Sequence, residues 1–178
     1  MTKLILFVGT PGAGKSTVLN SIVEKGKTIQ IVNMGDLMLR IAKEREGVTD
    51  RELAFQQIID RGQDSLIDTH LTIKYGRRYV PGVTLEELRK IRIKAIVYID
   101  ATAKEIWRRR HSDPSKQGRR NINDTEAEID EQKSVNLAIL SSCAIYLSIP
   151  IYIIYNSDGK QAEAVAELEK IVKEHFTE

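Results

Sequence analysis

The chain has 178 residues, 42% of them hydrophobic, with one cysteine, three histidines and a formal net charge of +2. Such a length suits one domain that buries roughly 70% of the surface exposed by its unfolded form. A single cysteine excludes an internal disulfide framework, scattered histidines argue against a zinc site, no apolar run approaches the ~20 residues of a membrane span, and so small a net charge gives no reason by itself to expect nucleic acid.

Residues 3–17, KLILFVGTPGAGKST, run an apolar strand into a glycine-rich turn and out into an amphipathic helix carrying Val18, Leu19, Ile22 and Val23. The apolar start is therefore read as a strand, not a signal peptide, and the protein is expected to be soluble and cytoplasmic. The turn, Gly9, Thr10, Pro11, Gly12, Ala13, Gly14, Lys15, Ser16 and Thr17, matches the phosphate-loop pattern G-x-x-x-x-G-K-[ST]. Glycines let backbone N–H groups close around a polyphosphate, the following helix adds its positive end, Lys15 brings an ammonium, and Ser16 offers a hydroxyl to Mg²⁺. A glycine turn that merely joined strand to helix would need no lysine followed by two hydroxyls.

Further strands are expected at TIQIV (28–32), SLIDT (65–69), IKAIVYID (93–100) and IPIYIIY (149–155), all continuous apolar runs of the kind covered by helices on both faces. Helical segments lie between them, several opened by a capping box: Thr49 with Glu52, Thr84 with Glu87, Thr102 with Glu105, and Thr125 with Glu128. Cys143, in SSCAIYL, reads as packing. The sum is an α/β chain: a five-stranded parallel sheet in a three-layer α/β/α P-loop NTPase fold.

In such sheets ligands sit at the carboxyl ends of the strands, so the residues just after each strand are the candidates. Asn33, Met34, Gly35 and Asp36 follow the second strand, a turn or a ligand contact with equal economy. Asp68, Thr69 and His70 follow the third. A carboxylate there, beside the loop strand, suits Mg²⁺ held through water, with Ser16 as the second metal ligand. Asp100 ends the fourth strand, but the capped segment from Thr102 makes it more economically a turn residue, and Asp68 is preferred.

Residues 104–120 hold Lys104, Arg108, Arg109, Arg110, His111, Lys116, Arg119 and Arg120 against Glu105 and Asp113, around the polar turn SDPSKQG. Arginines on a mobile turn can neutralise a transferring phosphoryl group while excluding water. An RNA-contacting patch is the alternative.

In their order, these segments resemble the nucleoside monophosphate kinases, most closely the archaeal-type adenylate kinases. The resemblance rests on VGTPGAGKST, IVNMGDLML, IDTH, YVPG at 79–82, the arginine-flanked stretch at 108–120 and IIYNSDG, and it covers nearly the whole chain. It implies reversible phosphoryl transfer from MgATP to AMP, giving two ADP, by one domain with a core at 1–107 and 122–178 and a lid at about 108–121. By position, residues 9–17 with Asn156 would hold ATP, and Asn33, Gly35, Asp36, Arg40, Thr69, His70, Tyr79 and Gly82 would line the monophosphate side. Lys15, Asp68, Arg109, Arg110, Arg119 and Arg120 would act on the transferring group, and self-association as a homotrimer is implied.

One segment departs from the family. From Asp50 to the third strand the chain is much shorter than the usual monophosphate-binding segment and lacks its Arg-Lys pair, so either Arg51, Arg40 or Arg61 holds the acceptor phosphate or part of that segment is missing from the sequence. Another nucleoside monophosphate as acceptor, or an RNA-associated P-loop ATPase, are the alternative functions. A GTPase is disfavoured, because Asn121-Ile-Asn-Asp124 is not the guanine-reading Asn-Lys-x-Asp. Partners are thus expected to be ATP, AMP and ADP, without membrane or nucleic acid.

Overall fold

A computed structural model of the chain describes residues 2–24, 29–47, 50–112 and 124–176. Five parallel strands, β1 (Leu4–Gly9), β2 (Gln30–Asn33), β3 (Ser65–Asp68), β6 (Ala95–Asp100) and β7 (Ile151–Tyr155), lie in the order β2-β3-β1-β6-β7. Helices α1 (Lys15–Glu24), α2 (Met34–Glu44), α3 (Arg51–Asp60), α4 (Leu85–Ile91), α5 (Ala103–Ser112), α6 (Glu126–Leu147) and α7 (Gln161–Phe176) complete the chain, with a small antiparallel hairpin of β4 (Thr72–Tyr75) and β5 (Arg78–Pro81).

Alternation along the central strands builds the layers. On β1, Leu4, Leu6 and Val8 point into one core with Leu37, Ile41, Phe55, Ile58, Leu88 and Leu140, whereas Ile5 and Phe7 point into the other with Val18, Leu19, Ile22, Ile106 and Leu168. Both faces of the strand are therefore apolar, the reason these segments read as unbroken hydrophobic runs. Cys143 packs in the first core, where burial raises its thiol above the ordinary value.

Local chemistry starts the helices. Thr84 Oγ1 accepts from Glu87 N at 3.2 Å while Glu87 Oε2 accepts from Thr84 N at 2.7 Å, and Thr102 with Glu105 and Thr125 with Glu128 repeat the exchange. Helix α3 differs from expectation: its cap is Asp50, which accepts from Leu53 N at 2.9 Å, and Thr49 lies outside the described residues. Asn33 caps α2 through its bond from Asp36 N at 3.0 Å.

The order of the strands opens the cleft. From β1 the chain crosses through α1 to β2 on one side, and from β3 it crosses to β6 on the other side of β1, which separates the loops at the carboxyl ends. Register places Asn33 beside Asp68 and Asp68 beside Phe7, so the ends of β2, β3 and β1 deliver their following residues to one place. The hairpin is the element that sequence expectations omit. It rises directly from Asp68-Thr69-His70-Leu71 and returns to α4, its strands joined by the two-residue turn Gly76-Arg77.

Candidate active site

A cavity of about 550 Å³ opens at the carboxyl ends of the strands, between the glycine-rich loop and the residues that follow β2 and β3. Thr10, Pro11, Gly12, Gly14, Lys15, Ser16 and Thr17 form one wall, Asn33, Gly35 and Met38 the second, and Asp68, Thr69, His70, Ile73 and Gly82 the third, with Arg51 reaching in from α3.

Two ionisable groups face one another at its floor. Nζ of Lys15 lies 3.7 Å from Oδ1 of Asp68, and both side chains are about one-tenth exposed. Oδ2 of Asp68 accepts from Asn33 Nδ2 at 2.9 Å, whereas Oδ1 has no hydrogen bond. Burial draws the Lys15 ammonium below the usual lysine value and pushes the Asp68 carboxyl above the usual carboxylate value, and their mutual attraction opposes both shifts. Both groups are therefore short of compensation, which a polyphosphate at Lys15 and a cation at Asp68 would supply.

The loop is gripped from behind through its carbonyls. Ala13 O accepts from Asn156 Nδ2 at 2.9 Å and from Arg109 Nη1 at 3.4 Å, while Pro11 O accepts from Arg110 Nε at 2.9 Å and Nη2 at 2.7 Å. With those carbonyls held, the intervening amides are left to face the cavity as a nest for an anion. Gly14 has φ +94°, and a Cβ there would stand 2.2 Å from Asn156 Nδ2, so no other residue fits between the loop and its support. Asp158 fixes the arginines: Arg109 Nη2 donates to its Oδ1 at 2.8 Å, and Arg108 pairs with the other oxygen.

These positions correct the expectation for Arg109 and Arg110. Neither lines the cavity, and Arg110, its side chain 5% exposed, is consumed by Pro11 O and by Asp124 Oδ2 at 3.1 Å. Asn156 likewise holds the loop and does not line the cavity. Arg119 and Arg120 lie outside the described residues. Asp36 and Arg40 are exposed on α2 and are not brought into the cavity wall, because the face of that helix that includes Leu37 and Ile41 turns inward instead. The hydroxyl of Tyr79 donates to Glu131 Oε1 at 3.1 Å outside the wall, and burial, aided by that carboxylate, pushes the phenol up to about 12. Gly9 ends β1 and is packed against Ile99.

The two post-strand acids sit in different surroundings. Asp100 does not line the cavity and is answered by Lys133 Nζ at 3.4 Å, whereas Asp68 faces the lysine of the loop. Of the three arginines open on the acceptor side, Arg51 reaches the cavity and Arg40 and Arg61 are exposed. Nη1 of Arg51 stands 3.5 Å from Glu87 Oε2, and its buried Nε has no hydrogen-bond partner. Met34, Met38 and Ile73 supply apolar wall that no motif announced. Thr72, Lys74, Tyr98, Asn136 and Asp124 form polar support behind the loop, and the two amides Gln132 and Asn136, four apart on an otherwise apolar helical face, were the one available signal of it.

Comparison with known proteins agrees with this geometry. The AAA domain family matches residues 8–130. Over 94% of this chain and 97% of its own length, an adenylate kinase of Thermoplasma acidophilum is 34% identical, and the adenylate kinase of Methanocaldococcus jannaschii is 31% identical over 96% and 98%. Among solved structures, a shikimate kinase from Bacteroides thetaiotaomicron superposes with a TM-score of 0.53 at 16% identity over 96% of this chain and 98% of that one, a likeness of fold. Among the described residues, no helix is long and apolar enough to cross a membrane.

Proposed function

The chain belongs to the adenylate kinase family, and from that premise we propose how its cavity moves a phosphoryl group from ATP to AMP to give two ADP. The donor lies along the glycine-rich loop, its β- and γ-phosphates meeting the inward amides and the Lys15 ammonium. The acceptor lies against Asn33, Gly35, Met38, Thr69, His70, Ile73 and Gly82, with its phosphate on Arg51. The observation that carries this reading is Arg51 itself. A buried guanidinium nitrogen without a partner, in the same cavity as Lys15, is a donor waiting for a bidentate anion.

The acceptor phosphate is already anionic near neutral pH, so no general base is needed and His70 orients without deprotonating. The protein's work is to hold donor and acceptor in line and to set positive charge where negative charge spreads. Lys15 does this from the loop, and Arg51 neutralises the acceptor. Asp68 Oδ1, which has no hydrogen bond, and the Ser16 hydroxyl in the same cavity fit a divalent cation, the carboxylate through water. A divalent cation such as Mg²⁺ held by these groups would supply positive charge against the charge of the transferring phosphoryl group.

Residues 108–121 form the lid in this reading. Arg119 and Arg120 are its phosphate-facing arginines, while Arg109 and Arg110 act through the loop backbone they hold. The protein works in the cytoplasm as a homotrimer. Support for association comes from Ile145 and Tyr146 on α6 and from Ile153 and Tyr155 on the edge strand β7, all exposed large apolar side chains.

The test is ADP formation from ATP with AMP, CMP, UMP, GMP or water alone. AMP is expected to support turnover far above the water control, with Arg51→Ala raising the KM for AMP and leaving that for ATP in place. Equal rates with and without a monophosphate would overturn the reading.

A further inference from the structure

The back of the β4–β5 hairpin carries chemistry that the transfer reaction has not used. Ile73 of β4 faces the cavity, and the alternating residues Thr72 and Lys74 point the other way, 3% and 4% exposed. Each begins a separate polar chain, and both chains end on the first residues of the glycine-rich loop.

From Thr72, Oγ1 donates to Asn136 Oδ1 at 2.6 Å, and Asn136 Nδ2 donates to Thr10 Oγ1 at 3.3 Å, which also shares a hydrogen bond with Tyr98 OH at 3.0 Å. From Lys74, Nζ donates to Asp124 Oδ1 at 2.9 Å, Asp124 Oδ2 accepts from Arg110 at 3.1 Å, and Arg110 grips Pro11 O. Thr10 and Pro11 are consecutive, so the two relays reach neighbouring residues of the loop. A buried lysine between two carboxylates, with Glu128 Oε1 at 3.5 Å the second, is costly to assemble. Apolar residues would hold a hairpin against a helix at less cost.

We propose that β4 is a coupling strand: contact with the acceptor nucleotide on its cavity face is passed through Thr72 and Lys74, as positioning residues, to Thr10 and Pro11 and so to the shape of the donor loop. The two nucleotides then bind cooperatively. Thr72 and Lys74 do not line the cavity, and each relay fixes a loop atom whose displacement would turn an amide away from the phosphates. This inference rests on the acceptor lying where the proposed function places it.

The experiment measures the affinity of a non-hydrolysable ATP analogue with and without saturating AMP, in the unmodified protein, in T72V, in K74M and in the double variant. The quantity read is the ratio of the two affinities. Weakened folding lowers the affinity measured without AMP more than the one measured with it, because bound AMP holds the folded state, and so raises the ratio; a fall in the ratio therefore reports lost coupling. The unmodified protein is expected to show a ratio of about 5 or more, in the usual range of coupling between sites. Each single variant lowers it and the double variant brings it below about 2, while Thr72→Ser, which keeps the hydroxyl, restores the unmodified ratio in place of T72V. A ratio unchanged in the double variant, or a ratio of one in the unmodified protein, overturns the coupling. Turnover with AMP in the unmodified protein judges the acceptor assignment separately, so the two failures are distinguishable.

Discussion

The two sides of the cavity, which the proposed function gives to donor and acceptor, are built on opposite terms. On the donor side, the carbonyls of Pro11 and Ala13 are each held by two donor atoms from behind, from Arg110 for the first and from Arg109 and Asn156 for the second. On the acceptor side, Arg51 has one long contact to Glu87 and a buried nitrogen without a partner, and the wall beside it is made of Met38 and Ile73. A polyphosphate therefore meets a surface already in shape, while a monophosphate completes the side it binds. The difference teaches where tolerance lies: the loop moves only as the groups that hold it move, and specificity is left to residues with free bonding capacity.

The contrast is broken most severely at Lys15. Lys15→Met removes the one ammonium on the donor wall, and turnover is expected to fall roughly 10²–10³-fold, as when a positioned transition-state donor is lost. Steady-state rates at saturating ATP and AMP check it. Arg51→Ala sharpens the contrast from the other side: losing a charge-assisted bond of about 2 kcal/mol raises the KM for AMP roughly 30-fold. The KM for ATP should stay within about twofold in the same assay.

Arg110→Ala tests whether the loop's support is structural. Removing a buried guanidinium strands Pro11 O and half of Asp124, so stability in urea is expected to fall by about 1–2 kcal/mol. Arg119→Ala should by contrast lower turnover without moving the urea midpoint.

Acidity addresses the floor between the two sides. Burial raises Asp68 above its ordinary 3.8, so from that value up to the raised one the folded protein holds a proton that the unfolded chain has lost. Nucleotide-free stability contributed by this group is full below the window and declines as pH rises through it. Asp68→Asn should remove that part of the slope in urea midpoints measured across the acid range. The smallest effect is expected at Gln132, fully buried on α6 with neither amide atom bonded. Gln132→Leu should leave the thermal midpoint unchanged or raise stability by up to about 1 kcal/mol, because replacing a buried polar group without a partner relieves its desolvation.

What could be read from sequence was what is local in it. The loop is one contiguous motif, and the five strands are unbroken apolar runs because both their faces are covered, so sheet and donor wall were legible together. The Asp68 preference over Asp100 rested on the capping box at Thr102, and that box is present. The hairpin is not legible in TIKYGRRYV, which is short and carries charge. Lys74 looks solvent-facing until Asp124 arrives from far along the chain. Arg110 misled for the same reason: an arginine in a basic run advertises phosphate, and only the rotation of α5 shows that it faces Pro11. Rotation also separated Arg51 from Arg40, a difference of helix face that residue type does not encode.

Gly82 has a consequence beyond its place in the cavity wall. Its N–H donates to Leu71 O at 2.8 Å, and a Cβ there would lie 1.9 Å from the carbonyl oxygen of His70. Residues 71–82 therefore depart from and rejoin the chain at a single pinch point that only glycine can close. Such an excursion is a cassette: its length and side chains can be exchanged without shifting the frame of β3 before it or α4 after it. A graft of a different hairpin between His70 and Val83, keeping the glycine, would give a new acceptor wall on an undisturbed sheet.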